Sequence, residues 1–298
     1  GCALAPGPGS PPLGVALLQG NIPQAGEFQP GSGVPLALRW YGQELRAAQA
    51  QLVVAPETAI PLLPQQLEPG YLEQLRSRYS ALDGTQAALV GIPLGSFTQG
   101  YTNSVLGWVP GAIEPYRYDK HHLVPFGEFI PPLFKWFTEM MDIPLGDFRR
   151  GGLGQAPMAW AGERIAPNIC YEDLFGEELG ARFADPQQAP TMFVNLSNIG
   201  WFGDSIAIDQ HLAISRMRAL EFERPMVRAT NTGATALIDH RGQVTQRLPA
   251  HTRWVLQGEV QGRTGLTPFA VWVARAGLAP LWGLGLAVVA LAWRRRRR

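Results

Sequence analysis

Short apolar runs that alternate with longer amphipathic segments predict an α/β fold built from layered sheets and helices. The strand candidates are Val15–Leu18, Leu52–Val54, Ala87–Ile92, Thr191–Leu196 and Met226–Thr230. The helix candidates are Leu36–Ala50, Tyr71–Leu82, Asp173–Phe183 and Ile206–Glu223, where apolar residues recur three and four positions apart. A chain of 298 residues with 46% hydrophobic and 16% charged side chains has enough apolar surface for one large core or two small ones.

Ahead of the first strand, residues 1–12 (GCALAPGPGSPP) are dominated by Gly, Pro and small side chains and read as a linker. No charged stretch followed by an apolar run opens the sequence, so no signal peptide is visible, and the linker is expected to join something upstream. Residues 13–262 are expected to form the globular domain. Residues 263–293 change character. From Ala276 to Trp293 the chain runs for 18 positions without a charge, and five arginines, Arg294–Arg298, follow at once. As one helix that run spans about 27 Å, close to the ~30 Å hydrocarbon core of a bilayer. A core helix rarely ends in an unbroken basic block, so the expectation is a transmembrane anchor, with Trp272, Trp282 and Trp293 near the interfaces and Arg275 snorkelling at the outer end. The positive-inside rule puts the arginine tail (294–298) in the cytoplasm and the domain outside it.

The net charge of +1 hides that tail: setting aside the five terminal arginines leaves 20 of the 25 basic residues against 24 acidic ones. The mildly acidic body argues against nucleic acid as a partner. The two cysteines, Cys2 and Cys170, lie in unlike surroundings and suggest no disulfide framework. His121, His122, His211, His240 and His251 have no metal-ligand spacing, so neither a metal nor a cofactor is expected, and His211 reads as structural.

Chemistry concentrates where a reactive side chain follows an apolar run: Glu57 after Val53-Val54-Ala55-Pro56, Lys120 after Tyr118-Asp119, and Cys170 after Pro167-Asn168-Ile169. Strand ends are where α/β enzymes gather catalytic groups. A thiol with a free pKa near 8.5 needs a base, which a carboxylate supplies, and an ammonium would both favour the thiolate and face an oxyanion. Singly, each is an ordinary surface or core residue. The lysine stands apart, since the chain has only Lys120 and Lys135 against 23 arginines, and a compact ammonium suits such a site better than a planar fork.

Together these segments resemble the carbon-nitrogen hydrolase (nitrilase) superfamily and, within it, the apolipoprotein N-acyltransferases. The resemblance runs from Gly14–Gln24 to the end of the chain and includes Pro56-Glu57-Thr58-Ala59-Ile60-Pro61, Lys120–Glu128, Cys170-Tyr171-Glu172, Trp201–Ser205, Arg216–Glu221 and Arg228–Gly233. It implies an α-β-β-α sandwich with Glu57 as general base, Lys120 as oxyanion stabiliser and Cys170 as nucleophile. It also implies accessory active-site positions at Glu128, Tyr171 and Glu172 and a substrate contact at Trp201. Where the family commonly carries a tryptophan this chain has Glu27-Phe28, which makes Phe28 the expected substrate-contacting aromatic, and Ile199 replaces a more usual polar residue. The implied reaction moves a fatty acyl chain from a phospholipid to the N-terminal amine of a diacylglyceryl-cysteine lipoprotein, at the bacterial inner membrane with the catalytic domain on the periplasmic side. A multi-span N-terminal membrane domain is implied upstream of the linker. The apolar segment Phe126–Phe148 has two readings, a packed core helix or an arm over the site that receives lipid chains. A membrane-tethered amidase with the same three residues and an inactive membrane-anchored interaction domain are the alternative functions.

Overall fold

The computed structural model describes residues 7–23, 33–123, 149–199 and 205–297. Its centre is a pair of six-stranded sheets. The first contains β2 (Leu13–Gln19), β3 (Leu52–Ala55), β4 (Ala87–Ser96), β5 (Gly100–Trp108), β6 (Tyr116–Asp119) and β13 (Trp254–Val260) in the order β13-β2-β3-β4-β5-β6. The second contains β7 (Met158–Trp160), β8 (Glu163–Ile169), β9 (Met192–Ser197), β10 (Met226–Thr230), β11 (Ala236–Ile238) and β12 (Val244–Arg247) in the order β12-β11-β10-β9-β8-β7. In each sheet three central strands are parallel, β2-β3-β4 and β8-β9-β10, and antiparallel strands flank them. A short pair, β1 (Gly7–Pro8) with β14 (Arg263–Thr264), sits apart.

Alternation along the strands sets the layers, because neighbouring side chains point to opposite faces. On the first sheet Val15, Leu17, Leu52, Val54 and Leu89 pack with Ile165, Val194 and Leu196 of the second sheet. Their neighbours Ala16, Leu18, Val53, Ala55, Ala88 and Val90 face the other way, onto Tyr41 and Leu45 of α1 (Gly33–Ala47) and Leu75 and Tyr79 of α2 (Tyr71–Ser80). Parallel strands covered on both faces must be apolar throughout, as these are. The outer face of the second sheet is covered by α3 (Gly176–Gly180), α4 (Ala207–Phe222) and α5 (Pro268–Ala276). An aromatic cluster ties them down: the Phe222 ring lies 4.7 Å from Phe183, 5.5 Å from Phe193 and 5.3 Å from Phe269, centroid to centroid. Helices, sheet, sheet and helices make a four-layered sandwich.

Three expectations change in detail. The linker assigned to residues 1–12 is already structured at Gly7–Pro8, which pairs with Arg263–Thr264. The packed layers continue beyond 262, since α5 is capped by the Thr267 hydroxyl accepting from Ala270 N at 3.0 Å and buries Ala270 and Val273. The single helix expected over Asp173–Phe183 is instead a 3-10 turn, the short α3 and a second 3-10 turn. The packing explains that segmentation: a Cβ on Gly180 would meet Val273 Cγ2 at 2.2 Å, so α5 presses directly on this backbone.

The 18-residue uncharged run is also not one helix. Its first residue, Ala276, ends α5, and residues 279–293 lie in α6 (Ala279–Arg296), which is bent by 77° from α5 across the break at 277–278. Gly277 turns with φ 50°, and Pro280, with no N–H and a ring that would strike the preceding turn, favours a fresh helix start. Among the described residues no single helix is long and apolar enough to cross a membrane, while the bent pair together has the length and composition. No residue of α6 is buried, and Leu281, Trp282, Leu284, Leu286 and Val289 are all exposed.

Phe222→Ala removes the ring shared by α4, α5 and the second sheet, and should cost about 3–5 kcal/mol in a denaturant titration of the folded domain. A loss below about 1 kcal/mol would show that these layers do not depend on the aromatic cluster.

Candidate active site

Three strand ends meet where the two sheets adjoin. β3 leads through Pro56 to Glu57, β6 leads directly to Lys120, and β8 leads directly to Cys170. All three side chains are buried, with 4%, 3% and 5% of their surface exposed.

Glu57 is held from both sheets: Asn103 Nδ2 of β5 donates to its Oε1 at 2.8 Å, and the Asn198 N–H, just past β9, donates to its Oε2 at 3.0 Å. The turn that carries it presses on Gly91, where a Cβ would come within 2.2 Å of the Pro56 carbonyl oxygen and 2.8 Å of Glu57 Cα. Lys120 Nζ lies 3.9 Å from Glu57 Oε1 and 6.0 Å from the centre of the Tyr171 ring. The Lys120 N–H also donates to the Asn103 carbonyl at 2.8 Å, so Asn103 orients both charged residues. Burial opposes the lysine's charge, but Glu57, with Cys170 and Glu172, outweighs it and holds the ammonium above its ordinary range.

Cys170 occupies the left-handed region at φ 56°, at a cost on the order of 1 kcal/mol for an L-residue. It opens a 3-10 turn, Cys170–Leu174, that reverses the chain out of β8. Burial above all, and then the Glu57 charge, pushes its thiol up to about 12, against the pull of Lys120 and the Ser197 hydroxyl. The Cys170 thiol is therefore held protonated, and to act as a nucleophile it would have to lose that proton as it attacked.

Glu172 joins the two strand ends. Its Oε1 accepts from Tyr118 Oη and from the Ile169 N–H, each at 2.8 Å. Its Oε2 accepts from the His121 N–H at 2.8 Å and the His122 N–H at 3.1 Å. Burial raises its pKa, while Lys120 and these donors oppose the rise. With both oxygens engaged by the protein, Glu172 sets the spacing between the Lys120 and Cys170 turns. His122, whose N–H donates to Glu172, stacks 3.7 Å from Phe175 and lies 2.9 Å from Glu178 Oε1 through Nδ1.

The structure thus brings Glu57, Lys120, Cys170, Tyr171 and Glu172 together. Phe28, Glu128, Trp201 and the segment Phe126–Phe148 lie outside the described residues. Among the described residues no group of three or more His, Cys, Asp or Glu side chains is placed to hold a metal ion. Sequence reasoning missed Asn103, Asn198 and Gly91, and also the polar set around the Cys170 main chain, Asn195, Asp173 and Arg228. A signal existed for two of them: Asn195 and Arg228 interrupt the apolar runs 191–196 and 226–230, and a polar side chain in a fully buried strand must have partners.

A four-layered α/β sandwich with a carboxylate, an ammonium and a thiol converging at its strand ends defines a nitrilase-like protein. The chain belongs to the carbon-nitrogen hydrolase family, whose family model, Carbon-nitrogen hydrolase, matches residues 14–269. It is 72% identical over 277 residues to an apolipoprotein N-acyltransferase of Verminephrobacter eiseniae, covering 90% of this chain and 51% of that protein. It is 52% identical over 287 residues to an apolipoprotein N-acyltransferase of Ralstonia nicotianae, covering 96% of this chain and 54% of that one. The chain therefore spans about half the length of these curated relatives. The fold resembles XC1258 of Xanthomonas campestris, a CN-hydrolase superfamily protein, with TM-score 0.57 and 19% identity, covering 90% of this chain and 96% of that one. It also resembles an amidase of the nitrilase superfamily from Nesterenkonia, with TM-score 0.59 and 18% identity, covering 95% and 100%.

With Cys2→Ser as background, alkylation of Cys170 by iodoacetamide should keep accelerating up to at least about pH 10, because the buried thiol is held protonated. A rate that levels off below about pH 8 would instead reveal a stable thiolate in the resting protein.

Proposed function

We propose that this chain is the catalytic part of an apolipoprotein N-acyltransferase, in which Cys170 carries a fatty acyl group from a phospholipid to the N-terminal amine of a diacylglyceryl-cysteine lipoprotein. The observation that carries the proposal is the buried Glu57–Lys120 pair beside a neutral Cys170 thiol. The names of relatives up to 72% identical support it.

In the first half-reaction Glu57 accepts the thiol proton as Sγ attacks the ester carbonyl, and Lys120 faces the oxygen that gains negative charge. The tetrahedral intermediate collapses, the lysophospholipid alkoxide leaves with the proton from Glu57, and a thioester remains on Cys170. In the second half the lipoprotein amine attacks that thioester and Glu57 takes the amine proton. Thiolate then leaves and is reprotonated, and an amide is formed. Storing the acyl group on a good leaving group in a water-poor site favours an amine acceptor over hydrolysis. Glu172 and Tyr171 are positioning groups in this scheme, with Glu172 spacing the two turns and Tyr171 lying beside the ammonium.

The proposal extends to the domain boundaries and the membrane. Residues 13–262 with the packed α5 form the catalytic domain, and α6, which follows it, is the anchor region of an inner-membrane protein. Exposed apolar side chains along α6 and the arginines from Arg294 support that anchor, with the tail cytoplasmic and the catalytic domain periplasmic. Phe28, Glu128 and Trp201 remain proposed site residues by the family resemblance.

Two experiments test this reading. Full-length protein given phospholipid and a diacylglyceryl-cysteine peptide should form N-acyl peptide. Cys170→Ala should give none, and Lys120→Arg should be slower by roughly a hundredfold, since a planar fork replaces one positioned oxyanion donor. Release of free fatty acid without peptide acylation would favour a hydrolase, and full turnover by Cys170→Ala would remove the proposed nucleophile. For the topology, a membrane-impermeant thiol reagent on intact spheroplasts should reach Phe97→Cys on the exposed domain surface and miss Arg297→Cys. The reverse labelling pattern would sink the orientation.

A further inference from the structure

Around the main chain of Cys170 lies a polar cluster that the reaction scheme does not use. The main-chain oxygen of Cys170 accepts two hydrogen bonds, from Asn195 Nδ2 of β9 at 2.9 Å and from His211 Nε2 of α4 at 3.1 Å. The same His211 nitrogen lies 3.0 Å from Oδ1 of Asp173, which belongs to the turn that Cys170 opens. On the other side of the ring, Arg228 Nη2 of β10 is 3.2 Å from His211 Nδ1. Arg228 further donates to Ser215 Oγ, lies 3.5 Å from Asp173 Oδ2 and 3.5 Å from Asn195 Oδ1, and is fully buried. Ser215 in turn donates to Asp173 Oδ2.

These contacts determine the imidazole's protonation. A guanidinium has donors and no acceptor, so His211 Nδ1 facing Arg228 must present its lone pair. The ring proton is then on Nε2, where it points at the Cys170 carbonyl and the Asp173 carboxylate, both acceptors. A neutral ring with one tautomer is the only state in which all four groups are satisfied. Asn195 is likewise constrained, since its amide also donates to Asn168 Oδ1 at 2.6 Å. Groups from α4 and β9 therefore meet on one carbonyl, the one belonging to the residue held at φ 56°, and Arg228 of β10 and Asp173 of the turn hold the histidine that makes one of those bonds.

We infer that His211, locked by Arg228 as the Nε2–H tautomer, is a positioning residue for the nucleophile. It acts through the main chain, fixing the left-handed turn and with it the direction of Sγ relative to Glu57 and Lys120. The inference rests on the reading of Cys170 as the acyl-bearing residue. It assigns to His211 a part in the rate of the covalent step and none in the binding of either substrate. A histidine that merely filled the core would influence stability and leave that partition untouched.

The test uses the full-length protein in mixed micelles of phosphatidylethanolamine and phosphatidylglycerol, with single-turnover acylation of Cys170 followed by mass. His211→Leu should lower the acylation rate constant by roughly a hundredfold, the scale expected when a reacting atom is displaced by about 1 Å, with KM for phospholipid unchanged. His211→Gln, whose amide N–H reaches the same carbonyl, should recover the rate to within about tenfold of wild type. A folded His211→Leu that acylates at the wild-type rate, a loss that falls in KM, or a folded His211→Gln no better than His211→Leu would overturn the inference. The nitrogen-15 histidine spectrum of the wild-type protein decides the case even if the variants do not fold: Nε2–H neutral is required, and an imidazolium or an Nδ1–H ring contradicts it. Cys170→Ala run in parallel separates the two readings, since acylated product from that variant would remove the nucleophile whatever His211 does.

Discussion

The carboxylate of Glu172 is the constraint on which the site depends. It sits three residues after Ile169 and accepts that residue's N–H, closing the turn out of β8 on itself. The same carboxylate reaches the other sheet, taking the Tyr118 hydroxyl of β6 and the two N–H groups that follow Lys120. One buried anion with four donors therefore bridges the two sheets at the point where their reactive ends meet. The geometry is demanding, because an anion removed from water is tolerated only when its lone pairs are filled, and each unfilled donor left by its loss would cost about 1–3 kcal/mol. The ammonium next door benefits too, since Glu172 adds to the field that keeps Lys120 charged.

Around this bridge the protein separates the three proposed reacting groups from the groups that hold them. Glu57, Lys120 and the Cys170 thiol face one another, and their supports approach from behind. Asn103 grips Glu57 and the Lys120 N–H, Gly91 makes room for the Glu57 turn, and Asn195 and His211 take the Cys170 carbonyl. The cost of the left-handed cysteine is met by these bonds, as is usual for strained residues at reactive sites. Preorganisation of this kind matters more for a thiol pushed up to about 12 than for a ready thiolate, because deprotonation and attack must occur together.

Much of this was legible in the amino-acid sequence. Alternating apolar runs located β2, β3, β4, β9 and β10, and three- and four-residue spacing located α1, α2 and α4, because both patterns report directly which faces are buried. Glu57 and Cys170 stood out as reactive residues after apolar runs and Lys120 as one of two lysines, and the strand ends do carry them together. What the sequence hid was pairing at a distance. Asn103 is an unremarkable residue in a half-polar stretch until β5 lies beside β4, and Gly91 is one of 34 glycines until the Glu57 turn leans on it. The break at Gly277 was written in the sequence, with Pro280 three residues on, but an uncharged run invites reading by length alone. The segmentation of 173–183 depends on where α5 lands, which local spacing does not encode.

The central proposal is a covalent intermediate on Cys170, and its direct test is the peptide mass of Cys170. Full-length protein exposed to phospholipid alone, with no lipoprotein present, is digested and the Cys170 peptide is weighed. The expected result is a fatty-acyl increment on that peptide, removed by neutral hydroxylamine and absent from Cys170→Ala. Transfer to a lipopeptide that proceeds normally while no such increment ever forms, or an increment that persists in Cys170→Ala, would contradict it.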